Sequence, residues 1–267
     1  MAFNPAFGRN AFTAPPAPTA QQQAEMSPQQ LQELYERSSA TPTETERMTY
    51  EDVIVKTAIT LGIVAIGGVI GFFVPALAIP AAIAGFVLAL VNIFKKKPSA
   101  PLVILYAFVE GIFLGGISYI VEVAMDTPGV IGQALLGTGL VFGITLALFA
   151  TGRVRESKTA TKVFIIAGSA YALFSLINLG LQLTGVSPDP WGLHTGVNIA
   201  GIPLGLIIGP LVILMAAYSL VMDFSQIKRG VEGGAPQSLV WRAVFGLVLT
   251  IVWLYLEILR FLGIARD

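Results

Sequence analysis

Cysteine is absent from all 267 residues. That excludes disulfides and thiolate metal sites, and it leaves the redox compartment unread. Histidine occurs once, as His194 in the loop "SPDPWGLHTG", where it reads as an ordinary polar loop residue rather than a ligand. No HExxH, P-loop or nucleophile elbow appears, so no catalytic residue and no cofactor is expected, and no metal site is assigned. Charge is the other scarcity. Only 12% of residues are charged and the formal net charge is zero, about half the charged fraction of a soluble domain. No global basic field argues for nucleic acid.

Apolar surface fills the space those residues leave. Hydrophobic residues make up 55% of the chain and the mean hydropathy is +0.76. From Val53 onward, long apolar runs are separated by short polar pieces, which marks an all-α integral membrane protein surrounded by lipid. Roughly 20 residues of helix cross the hydrocarbon. Seven candidate spans satisfy that length: 53–74, 76–94, 102–121, 129–150, 163–184, 198–221 and 243–264. The first two are divided only by the corner at Pro75, and Pro80 falls in the first turn of the second, where proline is tolerated.

Residues 1–48 are a different material, rich in proline, glutamine, alanine and threonine, and read as a disordered cytoplasmic tail with one short helix candidate after "SPQQLQELYER". The seven-helix domain occupies 49–267. "TYED" has the spacing of a capping box, with Thr49 as N-cap and Asp52 at N3, so helix is expected to begin there. No secretory signal is read ahead of the first span, which then directs insertion itself.

Every lysine and arginine except Arg260 and Arg266 falls on the side of the bundle that holds the tail, including "FKKKP" and "TGRVRESKTATK". The opposite loops carry Glu122, Asp126 and Asp189. Short cytoplasmic loops retain positive charge, so the expected orientation is N-terminus cytoplasmic and C-terminus outside. The expected location is a bacterial plasma (inner) membrane.

Small residues recur four apart at Gly111 and Gly115 in the third span and at Gly201, Gly205 and Gly209 in the sixth, a pattern that lets helix backbones approach closely. Pro203 and Pro210 are expected to interrupt that sixth helix. Three acids stand in or beside spans: Glu110, Asp223 and Glu257. A charged group at mid-membrane costs about 2.5 to 3.5 kcal/mol on insertion scales and ordinarily faces a bundle interior or water. Glu110 and Glu257 are deep, whereas Asp223, at the inner end of its span, reads as solvated on spacing alone. Arg260 follows Glu257 by three residues, on the same helical face, where the two can neutralise one another.

"WLYLEILRFL" at 253–262 resembles the last-helix pattern of the Bax inhibitor-1 (transmembrane Bax inhibitor motif) family, with Glu257 in place of an aspartate. "MDFSQIKRG" is similar to that family's Asp-Thr-Gln motif, with Asp223 and Gln226 as the nearest equivalents, and "EGIFLGGIS" and "FATGRVRESKTATKVF" are compatible with its third helix and following inner loop. The resemblance covers about residues 49–267 and implies a bacterial-type member. It further implies a bundle with the last helix wrapped by the other six, acting as a pH-sensitive calcium leak channel or transporter whose pore closes when the acids of helices six and seven share a proton. Carried over, that pair is Asp223 and Glu257. Depth favours a rival pair, Glu110 with Glu257, and both pairings stay open. The expected partners are the lipid bilayer, calcium or other cations, and protons. A second reading, from a different class, is a non-conducting membrane regulator that binds other membrane proteins, such as proteases or stress factors.

Overall fold

The computed structural model describes residues 47–95, 99–186 and 189–266. Its long helices are α1 Tyr50–Phe73, α2 Ala78–Phe94, α3 Ala100–Tyr119, α4 Val130–Ala150, α5 Lys158–Leu183, α6 Leu204–Glu232 and α7 Val240–Arg266. Ile120–Ala124 extends α3 by a wider turn, and Pro75–Leu77 and Gln237–Leu239 are tight turns leading into α2 and α7. With those turns included, seven helices among the described residues are long and apolar enough to cross a membrane. The molecule is an integral membrane protein built as an all-α, seven-helix bundle.

Local chemistry sets most of the boundaries. Asp52 N donates to Thr49 Oγ1 at 3.1 Å while Thr49 Oγ1 donates to Asp52 Oδ2 at 3.0 Å, so α1 starts at the expected box. Ser157 caps α5 by accepting from Ala160 N at 3.1 Å, which starts that helix at Lys158 rather than at 163. The sixth span differs most from expectation. Residues 198–203 are not helical but form a hairpin, β1 Asn198–Ile199 against β2 Ile202–Pro203. Its two turn residues, Ala200 and Gly201, have φ of 53° and 84°, the positive pair that a tight two-residue hairpin requires. Gly201 therefore leaves the small-residue row, and Pro203 precedes α6 instead of interrupting it. Pro210 alone lies inside, removing the hydrogen bond to the Leu206 carbonyl. At its other end α6 continues to Glu232, past the expected 221.

Of the tail, Arg47 and Met48 are described, and the helix candidate at "SPQQLQELYER" lies outside the described residues. Arg47 bridges Pro236, and Met48 is buried with its N–H bonded to the Ala235 carbonyl at 2.7 Å. The start of the bundle is thus pinned to the turn between α6 and α7.

Packing explains why α3 lies between α1 and α2. A Cβ on Gly111 would strike the Val64 carbonyl of α1, and one on Gly115 would strike the Gly68 carbonyl and lie 2.7 Å from Phe72 N. Gly67 and Gly71 answer from α1, against Phe108 O and Ile112 O. In lipid, where apolar side chains gain nothing by leaving water, this backbone proximity is the source of contact energy. α7 is central: 61% of its apolar window is buried, against 17% in α4 and in α5. Its side chains supply much of the core, with Tyr106 of α3 edge-on to Phe245 at 5.1 Å. One end of the bundle collects Lys56, Lys95, Arg153, Lys158, Arg229 and Arg242; the other bears Glu122, Asp126, Asp189 and Arg266. These are called the basic end and the opposite end below.

Candidate functional site

α7 presents Thr250 and Glu257 seven residues apart, close to two full turns, so both lie on one stripe of the helix. Thr250 holds one carboxylate, that of Asp223, and Glu257 is itself the other.

Glu257 is 4% exposed and lies nine residues, about 14 Å of helix, from the end of α7. Three donors surround it. Tyr171 Oη of α5 donates to both carboxylate oxygens, at 2.9 and 3.1 Å, and Trp253 Nε1, one turn back on α7, donates to Oε1 at 3.0 Å. Arg260 closes the ion pair expected from the three-residue spacing, and its guanidinium lies 5.5 Å from the centre of the Tyr171 ring. These donors satisfy the buried carboxylate without water. The cage forms the floor of a cavity of about 580 Å³ that runs between α3, α5 and α7 to Trp191 at the opposite end, with largely apolar walls including Ile117, Val121 and Leu256 and one further polar residue, Ser175.

Asp223 is fully buried, which overturns its solvated reading. The nine residues of α6 beyond it place it about 14 Å inside the basic end. Thr250 Oγ1 donates to Asp223 Oδ2 at 2.6 Å, and Ser219 Oγ lies 3.4 Å from the same threonine. The structure does not join Asp223 and Glu257 as a hydrogen-bonded pair. Two turns of α7, about 10 Å, separate the positions that hold them. They are successive stations on one stripe, Thr250 at the first and the aromatic cage at the second, with the wholly buried Leu254 between.

The rival pairing is not formed either. Glu110 points into the seam between α3 and α2, where a Cβ on Gly85 would lie 2.5 Å from its Oε2, and it accepts no hydrogen bond among the described residues. Gln226, one turn past Asp223, is half-buried and makes no hydrogen bond among the described residues.

Sequence reasoning missed Tyr171, Trp253 and Thr250. Trp253 was legible at i−4 from Glu257, in a helix interior where tryptophan is unusual because it favours membrane interfaces. Tyr171 lies 86 residues from its partner, and only the fold brings it there. His194 was misread: the ring is 2% exposed and packs edge-on against Phe174 of α5 at 5.0 Å. Burial, then the nearby Arg260 charge, lowers its pKa to about 4, opposed by its hydrogen bond to the Trp191 carbonyl.

Among the described residues, no group of three or more His, Cys, Asp or Glu side chains is placed to hold a metal ion. The family model described as Bax inhibitor 1 like matches residues 4–267 of the chain. No curated protein matches it.

Proposed function

The chain belongs to the Bax inhibitor 1-like family, and from that premise we propose that it is a proton-sensitive cation leak of its membrane, with calcium as the ion. The basic end faces the cytoplasm of a bacterial plasma membrane, by the positive charge retained there. One observation carries the reading: a carboxylate at 4% exposure, on the most buried helix, forms the floor of a cavity that leads to the opposite end. Structural packing alone has no use for it, because replacing a buried ion pair with apolar residues of similar volume is often neutral or stabilising.

In this reading Glu257 and Asp223 are two oxygen stations along α7, of the hard donor type that suits calcium. Arg260 closes the upper station, since its guanidinium occupies the position a cation would take beside the carboxylate. Opening requires Arg260 to swing away from Glu257. A proton on Glu257 competes with both partners, so flux depends on pH. Glu110, off the stripe, has no part in conduction.

The test is calcium influx into proteoliposomes of the purified protein between pH 5 and 8. Wild type is expected to show a pH-dependent flux, Glu257→Gln to weaken the pH dependence and lower the flux at least tenfold, Asp223→Asn to lower it, and Glu110→Gln to leave it unchanged. Absence of flux above empty vesicles at every pH, from protein shown to be folded, overturns the leak and leaves a regulator that binds other membrane proteins.

A further inference from the structure

Trp191 brings the segment Asp189–Gly196 into the lining of the Glu257 cavity, and the segment is docked rather than draped. On α5, Asn178 Oδ1 accepts from Leu193 N at 2.6 Å, and Gln182 Nε2 donates to the Pro190 carbonyl at 2.9 Å. Within the segment, Asp189 Oδ1 accepts from Trp191 N at 2.7 Å and from Thr195 Oγ1 at 2.6 Å. Trp191 forms one wall of the cavity and lays its ring edge 2.6 Å from where a Cβ on Gly263 of α7 would lie. Gly205 of α6 makes the corresponding room for the His194 Cβ.

His194 is the core of this seat, and the seat accepts only the neutral ring. Its Nδ1 lies 3.1 Å from the Trp191 carbonyl, and its Nε2 finds no hydrogen-bond partner among the described residues. An imidazolium carries two N–H donors, and the second would be buried here without an acceptor. The charged groups around it argue the same way. From α7 it feels Arg260, a cation; Glu257 is already committed to that arginine. From α5 it meets Phe174 and Asn178, and from α6 Gly205, none of them titratable. The segment's own acid, Asp189, spends Oδ1 on Trp191 and Thr195.

We propose that Asp189–Gly196 is a lid over the Glu257 cavity, released when His194 takes up a proton. The proposal rests on the leak reading for its purpose, and its geometry stands without it. The sign follows from the lowered pKa. With an ordinary value of 6.5 when the lid is open and about 4 when it is closed, closure is undiminished above pH 6.5 and weakens as pH falls from 6.5 toward 4. The closing equilibrium falls up to tenfold per unit, so 6.5 − 4 = 2.5 units amount to roughly 300-fold.

Because the chain has no cysteine, a pair of spin labels reads the lid without interference. Gly196→Cys, on the lid, and Val123→Cys, at the exposed end of α3, would be labelled in the full chain in lipid vesicles. Their distance distribution would then be measured by pulsed electron resonance from pH 7.5 to 4. A longer distance is expected to grow in below pH 6.5, to disappear with His194→Gln, and to persist with Asp189→Asn. Asn178→Asp, nearly isosteric, puts a carboxylate beside the ring and is expected to move the release to lower pH. An unchanged distance at every pH in the wild type overturns the lid, as does a full pH response in His194→Gln. The readout is independent of ion flow: vesicles that conduct with a fixed distance sink the lid alone, and a moving lid in non-conducting vesicles sinks the leak alone.

Discussion

Arg260 and Glu257 show how much one side chain depends on another in a low-dielectric interior. Arg260→Gln leaves the Glu257 carboxylate buried with only Tyr171 and Trp253 as donors. Removing one partner of a buried pair costs about 3 to 5 kcal/mol, chiefly from the charge left behind. Glu257→Gln with Arg260→Gln removes both charges together, so the double variant should recover most of that loss. Thermal unfolding in a single detergent, run as a double-mutant cycle, checks this. A double variant as unstable as Arg260→Gln alone would mean the pair is held by packing rather than by charge. This pair was the part of the site most open to sequence reading, because i,i+3 spacing on a helix is a local rule. The donors from Tyr171 and Thr250 were not readable, because a phenol or hydroxyl inside an apolar span shows nothing of which face it presents until the helices are placed.

At the scale of the element, the α1–α3 seam makes a sharp prediction. Gly115→Val requires α1 to back away, since even the first carbon of the new side chain overlaps the Gly68 backbone. Gly132 of α4 is the control, with nothing within 4 Å of an added Cβ. Gly115→Val should lower the melting temperature by several degrees or abolish folding. Gly132→Ala should be neutral or stabilising by up to about 1 kcal/mol, as expected for a helix interior. Equal effects would remove close backbone approach as the cause. Gly111 and Gly115 were visible as a row in the sequence, while the answering Gly67 and Gly71 escaped notice in an α1 read mainly for hydropathy. The same blindness produced the largest boundary error. Asn198–Pro203 carries no charge and two isoleucines, and hydropathy does not distinguish a hairpin from a helical turn. The usable signal was conformational, Ala200-Gly201 shortly ahead of a proline.

The whole molecule is asymmetric, and that asymmetry decides which compartment each device senses. Lys56, Lys95, Arg153, Lys158, Arg229 and Arg242 gather at one end, while His194 and its lid lie at the other. The span count was legible because seven apolar runs are each long enough to cross, and the charge bias was legible because it is a property of composition. The centrality of α7 was legible only through the family resemblance of its own motif, since the other six helices are about as apolar and hydropathy does not show which one is surrounded. If positive charge stays in the cytoplasm, acid outside the cell reaches the lid directly, whereas cytoplasmic acid must first pass the Asp223 level. Single cysteines in this cysteine-free chain test the premise. In intact expressing cells, a membrane-impermeant thiol reagent should label Gly196→Cys at the lid. It should label Thr151→Cys, in the loop after α4, only once the cells are permeabilised. The reverse pattern would turn the molecule over, expose the lid to the cytoplasm, and make internal rather than external acid the signal that opens it.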